Sequence, residues 1–320
     1  MKMRFYLFRL RKGRGFLLPA MMAVVNGLVA HAASAAEVTA PPIYQVAETI
    51  GADLALLHHA DLLPDKNVPV AKIAGLRPRY VLMAARSLFD DVQTLRYLNG
   101  LKSKTLPPLP VRAITLADVR DTLDEVAASL ADVRPIYGID KGAGTGSLRD
   151  GVTASDIYAR IQQDRRSLRA LGLPATVPND VYRVSLMIID DVHQVAAKLG
   201  GEGSLAGLQP STRKTPAQVY DLAYDLLVKL SKVEAASAKA KIPGGVVLPP
   251  KRTEGITPAD VVDVLYLLEA DLNAMKAVLG ITTPEQTPPP EAGRTPSDSF
   301  DALSIGRMVL ANLAGAPAAH

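Results

Sequence analysis

The stretch TPADVVDVLYLLEADLNAMKAVLG, residues 257–280, decides the fold class of this chain. Thr257 suits a helix N-cap because its hydroxyl accepts a backbone N–H, and Pro258 suits the first helical position because it has no N–H to leave unbonded. Asp260 suits the positive end of the helix dipole. The apolar residues that follow recur at steps of three and four, so the stretch predicts an amphipathic helix.

The same helix-start phrase recurs along the chain. Clear versions begin at Thr115, Thr153, Val177, Thr215 and Thr295, and weaker ones lie at Pro41 and Pro78. Each is followed by roughly 16–24 residues with helical spacing, and no segment alternates convincingly between apolar and polar residues as a strand does. The sequence therefore predicts an all-α protein with eight long helices joined by Pro-rich linkers.

The spacing of these phrases predicts an internal duplication. The fourth positions of successive helix-start phrases are separated by 38, 38, 38, 24, 38, 42 and 38 residues. This series is nearly symmetric about the short central interval. At an offset of 142, residues 115–133 overlay residues 257–275 with eight identities. The first and fifth predicted helices align at an offset of 138, where Tyr44 meets Tyr182. Because repeated helical segments bury a core by packing on one another, we predict two four-helix units. The predicted boundaries are residues 37–172 and 173–320.

The linkers leave the helix directions open. Several are Pro-rich and run about 12–20 residues, whereas bundle loops usually have 2–8. An extended linker of 14 residues spans about 45 Å, more than the length of a 22-residue helix at about 33 Å. The helices can therefore run parallel with extended returns or antiparallel with loose loops, and only the short link 172–177 clearly favours a reversal.

The first 36 residues have the pattern of a signal peptide. Residues 1–14 carry six basic residues, and residues 16–30 are apolar apart from one Asn. This apolar run is shorter than the roughly 20 residues of a bilayer span, so we expect cleavage, export to the periplasm and no stable membrane span afterwards. The expected cleavage site follows Ala35 or Ala36, with Ala32 as an alternative.

Composition argues against several classes of function. The net charge of +4 becomes −2 without residues 1–36, so no nucleic-acid partner is expected. The chain has no Cys, which excludes disulfides and thiolate chemistry. The glycines at 142, 144 and 146 lack the Lys-Ser/Thr of a phosphate loop and indicate a flexible linker. We therefore expect no catalytic site and no cofactor.

Two acidic residues interrupt apolar stripes at matching positions, Asp53 on the first predicted helix and Asp191 on the fifth. A charge within a helix seam is costly unless it is paired or solvated. The two carboxylates either bind a cationic ligand or a partner's Arg or Lys, or they bond a neighbouring side chain or face solvent. Tyr44 and Tyr182 either line a ligand groove or pack near the helix starts.

A metal centre is the main enzymatic hypothesis for a helical bundle. Carboxylate-bridged sites use Glu-x-x-His on two helices, whereas this chain offers one Asp190-x-x-His193 and no Glu-x-x-His. The pair is not repeated in the other half, and His58-His59 is expected at the surface. The sequence therefore predicts no metal site.

The function favoured by the sequence is an exported helical-repeat binding or scaffold protein without catalytic activity. Its partner would be a protein, a peptide or a component of the cell envelope. The alternative is a periplasmic sensor or binding protein for a small molecule, with a pocket in each bundle. A metal-dependent enzyme is the least favoured hypothesis.

Overall fold

The structure is a computed structural model, and it describes residues 38–64, 70, 72–201 and 209–315. The predicted signal peptide lies outside the described residues. The α-helices are α1 (Ala40–Ala60), α2 (Pro78–Leu98), α3 (Leu116–Val133), α4 (Ala154–Arg169), α5 (Pro178–Leu199), α6 (Pro216–Ala236), α7 (Pro258–Val278) and α8 (Pro296–Gly315). Two short 3-10 helices follow α3 and α6, and the described residues contain no strand. The prediction of an all-α fold is confirmed.

The helix starts follow the predicted capping chemistry. At α3, the Thr115 hydroxyl accepts the Asp118 N–H at 3.4 Å, and the Asp118 carboxylate accepts the Thr115 N–H at 2.8 Å. The same reciprocal box begins α4, α6 and α7. At α5 the N-cap is Val177, which has no side-chain acceptor. Only one bond of the box is therefore present, in which the Asp180 carboxylate accepts the Val177 N–H at 2.9 Å. Each complete box stabilises its helix start by about 1 kcal/mol.

The four helices α5–α8 run parallel. Their first residues line one small cavity, so the four N-termini meet at one end of this half: Pro178, Pro216, Pro258 and Pro296. In the half formed by α1–α4, Leu76 N–H donates to Ser155 Oγ at 3.2 Å and joins the starts of α2 and α4. Arg96 bonds Asp132 at 2.6 Å and joins the ends of α2 and α3. His58 Nε2 lies 2.9 Å from Ser167 O and joins the ends of α1 and α4. Of the two arrangements that the linkers allow, parallel helices with extended returns are therefore the one found within each half.

The extended returns are fastened to the helices they pass. Arg86 Nη2 donates to Pro107 O at 3.0 Å, which holds the α2–α3 linker against α2. Tyr224 OH donates to Pro249 O, also at 3.0 Å, and holds the α6–α7 linker against α6. These bonds supply partners for linker carbonyls that belong to no helix.

Each half has its own hydrophobic core. Helices α1 and α2 both pack against α3 and α4, and helices α5 and α6 both pack against α7 and α8. The halves meet through α2 and α7, where Leu267 and Ala270 join the core of α1–α4. These two helices run in opposite directions, because Tyr80 meets Asp271 whereas Ala84 lies near Leu267. Among the described helices, none combines the length and apolar content that a bilayer span requires.

Candidate functional site

Asp53 lies buried in the first half and bonds a cation of its own chain. Only 5% of the residue is exposed. Arg134, which follows α3, donates from Nη1 to both carboxylate oxygens at 3.1 and 3.2 Å. The N–H of Ala143 donates to Oδ1 at 2.8 Å. The carboxylate is therefore neutralised within the chain.

The Gly-rich segment beside Asp53 packs closely on α1. Gln45 Nε2 donates to Gly146 O at 2.7 Å, and Gly146 N–H donates to Thr49 Oγ1 at 2.9 Å. A Cβ on Gly146 would lie 3.0 Å from Gln45 O, too close for an ordinary contact. Gly146, expected to belong to a flexible linker, instead allows this close approach to the helix.

Asp191 lies buried in the second half and also bonds a cation of its own chain. Its Oδ1 lies 2.5 Å from Lys276 Nζ, and the Lys276 side chain is fully buried. Burial raises the pKa of Asp191 to about 6, although Lys276 acts in the opposite direction. Because a buried charge without its partner is costly, each member of this pair depends on the other.

The two ion pairs occupy matching positions in the sequence. Asp191 corresponds to Asp53 at the offset of 138, and Lys276 corresponds to Arg134 at the offset of 142. These are the two offsets at which the helical segments align. The interpretation that each carboxylate bonds a neighbouring side chain is therefore the one that the contacts support.

Tyr44 and Tyr182 lie half-buried near the starts of α1 and α5. Arg149 covers the ring of Tyr44 at 5.4 Å, and Arg294 covers the ring of Tyr182 at 4.4 Å. Each Tyr precedes the Asp of its helix by nine residues, or about 13 Å along the axis. Tyr182 borders a surface groove whose lining does not include Asp191. The ligand-binding role of these four residues stays a prediction.

The histidines and acids considered for a metal site are not brought together. Within the described ranges, no group of three His, Asp or Glu side chains could hold a metal ion. Asp190 accepts a hydrogen bond from Gln194 at 2.8 Å. The expectation that His58 and His59 both lie at the surface is wrong for His58, which is 1% exposed. Its Nε2 lies 2.9 Å from Ser167 O, because α4 covers the end of α1.

The junction between the halves is built on charged side chains that the sequence did not point to. Arg79 of α2 donates from Nε to Asp271 Oδ1 at 2.8 Å, and Tyr80 OH donates to the same oxygen at 2.6 Å. The remaining Arg79 nitrogens reach the α6–α7 linker, at Pro243 O (2.9 Å) and Gly245 O (2.6 Å). One buried guanidinium therefore joins α2, α7 and a linker.

A second buried guanidinium crosses the same junction. Arg165 of α4 is 3% exposed and donates to Asp263 of α7 at 2.8 Å. It also donates to Asp91 of α2 at 3.2 Å and to Gln162 at 3.0 Å. The two carboxylates raise the pKa of Arg165 against the opposing effect of its burial. These bonds fix the position of α7 relative to α2 and α4.

A groove of about 240 Å³, which we call the Tyr158 groove, lies beside Arg165. Residues of both halves and of the α6–α7 linker line it, among them Tyr158, Gln162, Tyr220, Pro249, Asp263 and Leu267. The Tyr158 hydroxyl accepts a hydrogen bond from Gln162 Nε2 at 2.9 Å. Tyr220 stacks on Tyr224 with ring centroids 6.5 Å apart. The walls are therefore set by bonded or stacked side chains.

The junction residues lie at positions that carry no repeated sequence signal. At the repeat offsets, Arg79 corresponds to Ala217, and Asp271 corresponds to Ser129. The junction thus uses positions at which the two halves differ. A search for charged residues that interrupt a helix stripe in one half alone would have found Asp271.

Glu269 of α7 is a buried acid that lies beside a second acid. It is 1% exposed, and its carboxyl group shares a hydrogen bond with Glu285. Burial raises its pKa well above the ordinary value, and the neighbouring Glu285 and Asp191 raise it further. Its neutral form is therefore favoured well above the pH at which an exposed Glu ionises.

Comparison of the chain with protein-family models, curated proteins and solved structures gives no significant match.

Proposed function

We propose that the protein is an exported, non-catalytic binding or scaffold protein made of two copies of a four-helix unit. Its binding surface is the Tyr158 groove, and its partner is a protein or peptide. The observation that carries the proposal is that residues of both halves and of the α6–α7 linker form this groove. The groove therefore exists only when the two halves pack against each other.

Duplication is supported by contacts that recur at the offsets found in the sequence. The Leu76–Ser155 bond at 3.2 Å has a counterpart in the second half, where Lys214 N–H donates to Ser297 Oγ at 3.1 Å. Lys214 corresponds to Leu76 at the offset of 138, and Ser297 corresponds to Ser155 at the offset of 142. The linker bonds of Arg86 and Tyr224, and the two Asp ion pairs, recur at the same offsets. Chance similarity between helices would not reproduce contacts between elements far apart in sequence.

Recognition of a protein or peptide is favoured by the chemistry of the groove. Tyrosine is enriched where proteins bind one another, because it combines a large apolar ring with a hydrogen-bonding group. Charged side chains of both signs also line the groove, and they are paired within the chain: Arg252 bonds Asp260, and Asp263 accepts a hydrogen bond from Arg165. A segment with both apolar and charged side chains fits such a surface better than a purely apolar ligand does.

A small-molecule pocket in each half, centred on Asp53 and Asp191, gains no support from the contacts of these residues. Each carboxylate has a cationic partner within the chain, so a cationic ligand would have to displace it. A peptide in the Tyr158 groove can instead cover Tyr220 and Leu267 without displacing an ion pair.

Export is proposed from the leader-like composition of residues 1–36. Amino-terminal sequencing of the protein from the periplasmic fraction tests it. We expect the chain to begin at residue 36 or 37. A chain that keeps Met1 and stays in the cytoplasm would contradict export and leave the binding proposal standing.

Site-specific photo-crosslinking in living cells tests the binding surface. A photo-reactive phenylalanine is placed at Lys251 or Pro250 in the groove, and at the exposed Arg120 or Glu125 of α3 as matched controls. We expect one shared adduct from both groove positions and none from α3. No adduct at any position, or the same adduct from all four, would overturn the proposal.

A further inference from the structure

A second groove lies at the junction, where α2 begins. Its volume is about 300 Å³, at the lower end of the range for small-molecule sites. Residues of α2, α7 and the α2–α3 and α6–α7 linkers line it. The lining includes Arg77, Pro78, Ile114, Pro243, Ala274 and Ala277, and we call it the Arg77 groove.

The lining of the Arg77 groove is largely apolar. Ile114, Ala274 and Ala277 are half-buried, and Val278 is 42% exposed. Water in contact with these side chains gains no hydrogen bonds from them, so an apolar group that covered them would be favoured. A ligand that covers this surface must therefore have an apolar part.

The charged groups of the groove are all arginines, and one of them lacks a partner. Arg79 is bonded to Asp271, and Arg112 bonds both carboxylate oxygens of Asp118 at 2.5 and 2.8 Å. The exposed side chain of Arg77 has no hydrogen-bond or ion-pair partner in the described part of the chain. Among the described residues, no acidic side chain lines the groove. The groove therefore carries one uncompensated positive charge beside an apolar surface.

Gly244 allows the Arg77 side chain to lie over the linker. A Cβ at this position would collide with Arg77 Nε, so only glycine lets the guanidinium approach so closely. The backbone of Gly244 also has φ +80, a conformation that other residues rarely adopt. The Arg77 side chain therefore lies against the linker, at the edge of the apolar surface.

We infer that the Arg77 groove binds an amphiphilic carboxylate, with the carboxylate on Arg77 and the hydrocarbon chain along Ile114 and Ala277. A guanidinium forms paired hydrogen bonds with a carboxylate, which makes this the strongest recognition available to Arg77. An amine would meet only like charge, an alcohol would leave Arg77 without a counter-ion, and an inorganic anion would leave the apolar surface uncovered. This site lies beyond the proposed function, because it takes a small molecule at a different groove.

Isothermal titration calorimetry of the purified protein tests the inference. Octanoate is the probe, and octanol, octylammonium and inorganic phosphate are the comparison compounds. We expect one saturable octanoate site, and binding of each comparison compound at least about tenfold weaker. Arg77→Ala should weaken octanoate binding at least about tenfold, whereas Arg120→Ala, which removes an exposed guanidinium of α3, should leave it unchanged.

A second pair of variants tests the apolar part of the groove. Ala277→Phe should abolish octanoate binding by filling the groove, whereas Ala128→Phe on the exposed face of α3 should not change it. Circular dichroism establishes that each variant is folded. Octanoate binding that is absent, that is matched by octylammonium or phosphate, or that survives both Arg77→Ala and Ala277→Phe would overturn the inference.

Discussion

Arg79 and Asp271 form a buried ion pair that joins the two halves of the molecule. Arg79 Nε lies 2.8 Å from Asp271 Oδ1, and the two side chains are 8% and 0% exposed. A carboxylate of α7 is thereby held by α2, 192 residues away in sequence. Both grooves described above lie at this junction, so their geometry depends on the pair.

Removing the acid from this pair should destabilise the protein strongly. Asp271→Ala leaves the Arg79 charge buried without its counter-ion, and we expect the free energy of unfolding to fall by about 3–5 kcal/mol. Urea denaturation measures the change. The double variant Arg79→Met/Asp271→Leu should recover most of the loss, because neither charge remains buried. The exposed Asp124→Ala should cost less than about 1 kcal/mol. A loss for Asp271→Ala as small as that control would show that the pair does not hold the junction.

The two repeated ion pairs should differ in their contribution to stability. Lys276 is fully buried, whereas the Arg134 side chain is 21% exposed and can turn towards water. Removing the cation leaves the carboxylate buried alone, so Lys276→Met should lower the free energy of unfolding more than Arg134→Met does, with about 3–5 kcal/mol expected for Lys276→Met. Urea denaturation of the two variants side by side provides the comparison. Equal decreases in the free energy of unfolding would mean that the exposure of the cationic side chain does not determine how much each ion pair contributes.

Stability should fall as the pH rises from about 4 to about 6. Burial raises the pKa of Asp191 to about 6, and it raises the pKa of Glu269 well above the ordinary value. The folded state therefore holds more protons than the unfolded state in this range, so raising the pH favours unfolding by up to about 1.4 kcal/mol per pH unit for each group.

Urea denaturation between pH 4 and pH 8 checks this dependence. Glu269→Gln removes the ionisation of that residue, so the variant should lose less stability across the range than the wild-type protein and should be the more stable of the two at pH 8. A wild-type stability that rises between pH 4 and pH 6 would contradict the prediction.

Adding a capping hydroxyl at α5 should stabilise the protein. Val177 has the extended N-cap backbone of the other helices but no side-chain acceptor for the helix N–H groups. Val177→Thr restores the acceptor, and we expect a gain of about 1 kcal/mol. Val177→Ala, which adds no acceptor, is the matched control. Thermal and urea unfolding measure both variants, and an equal effect of the two would exclude capping as the cause.

The helix starts were predictable because capping is local. Thr257 and Asp260 are three residues apart, and their mutual hydrogen bonds depend on one turn of backbone. The apolar stripes are local in the same sense, since residues three or four apart share a helix face. These two signals were enough to predict an all-α chain and the position of each helix.

The junction and its grooves were not predictable in the same way. The sequence shows that Arg79 follows a proline at a helix start, but nothing near it in sequence shows that Asp271 will be its partner. The Pro-rich linkers are long enough for either helix direction, so the sequence alone did not select parallel helices. The parallel arrangement places the ends of α2 and α3 together. It also determines which helix faces are left outside the core of each half and can form the junction.

The sequence by itself determined where the helices begin and which of their faces are apolar. Those features depend on residues within a turn or two of one another. Only the tertiary structure decided that Asp53 bonds Arg134, 81 residues away, and that Asp191 bonds Lys276, 85 residues away. The physical reason is that a charge buried in a bundle takes its partner from the adjacent helices, and which helices are adjacent is set by the packing of the whole core.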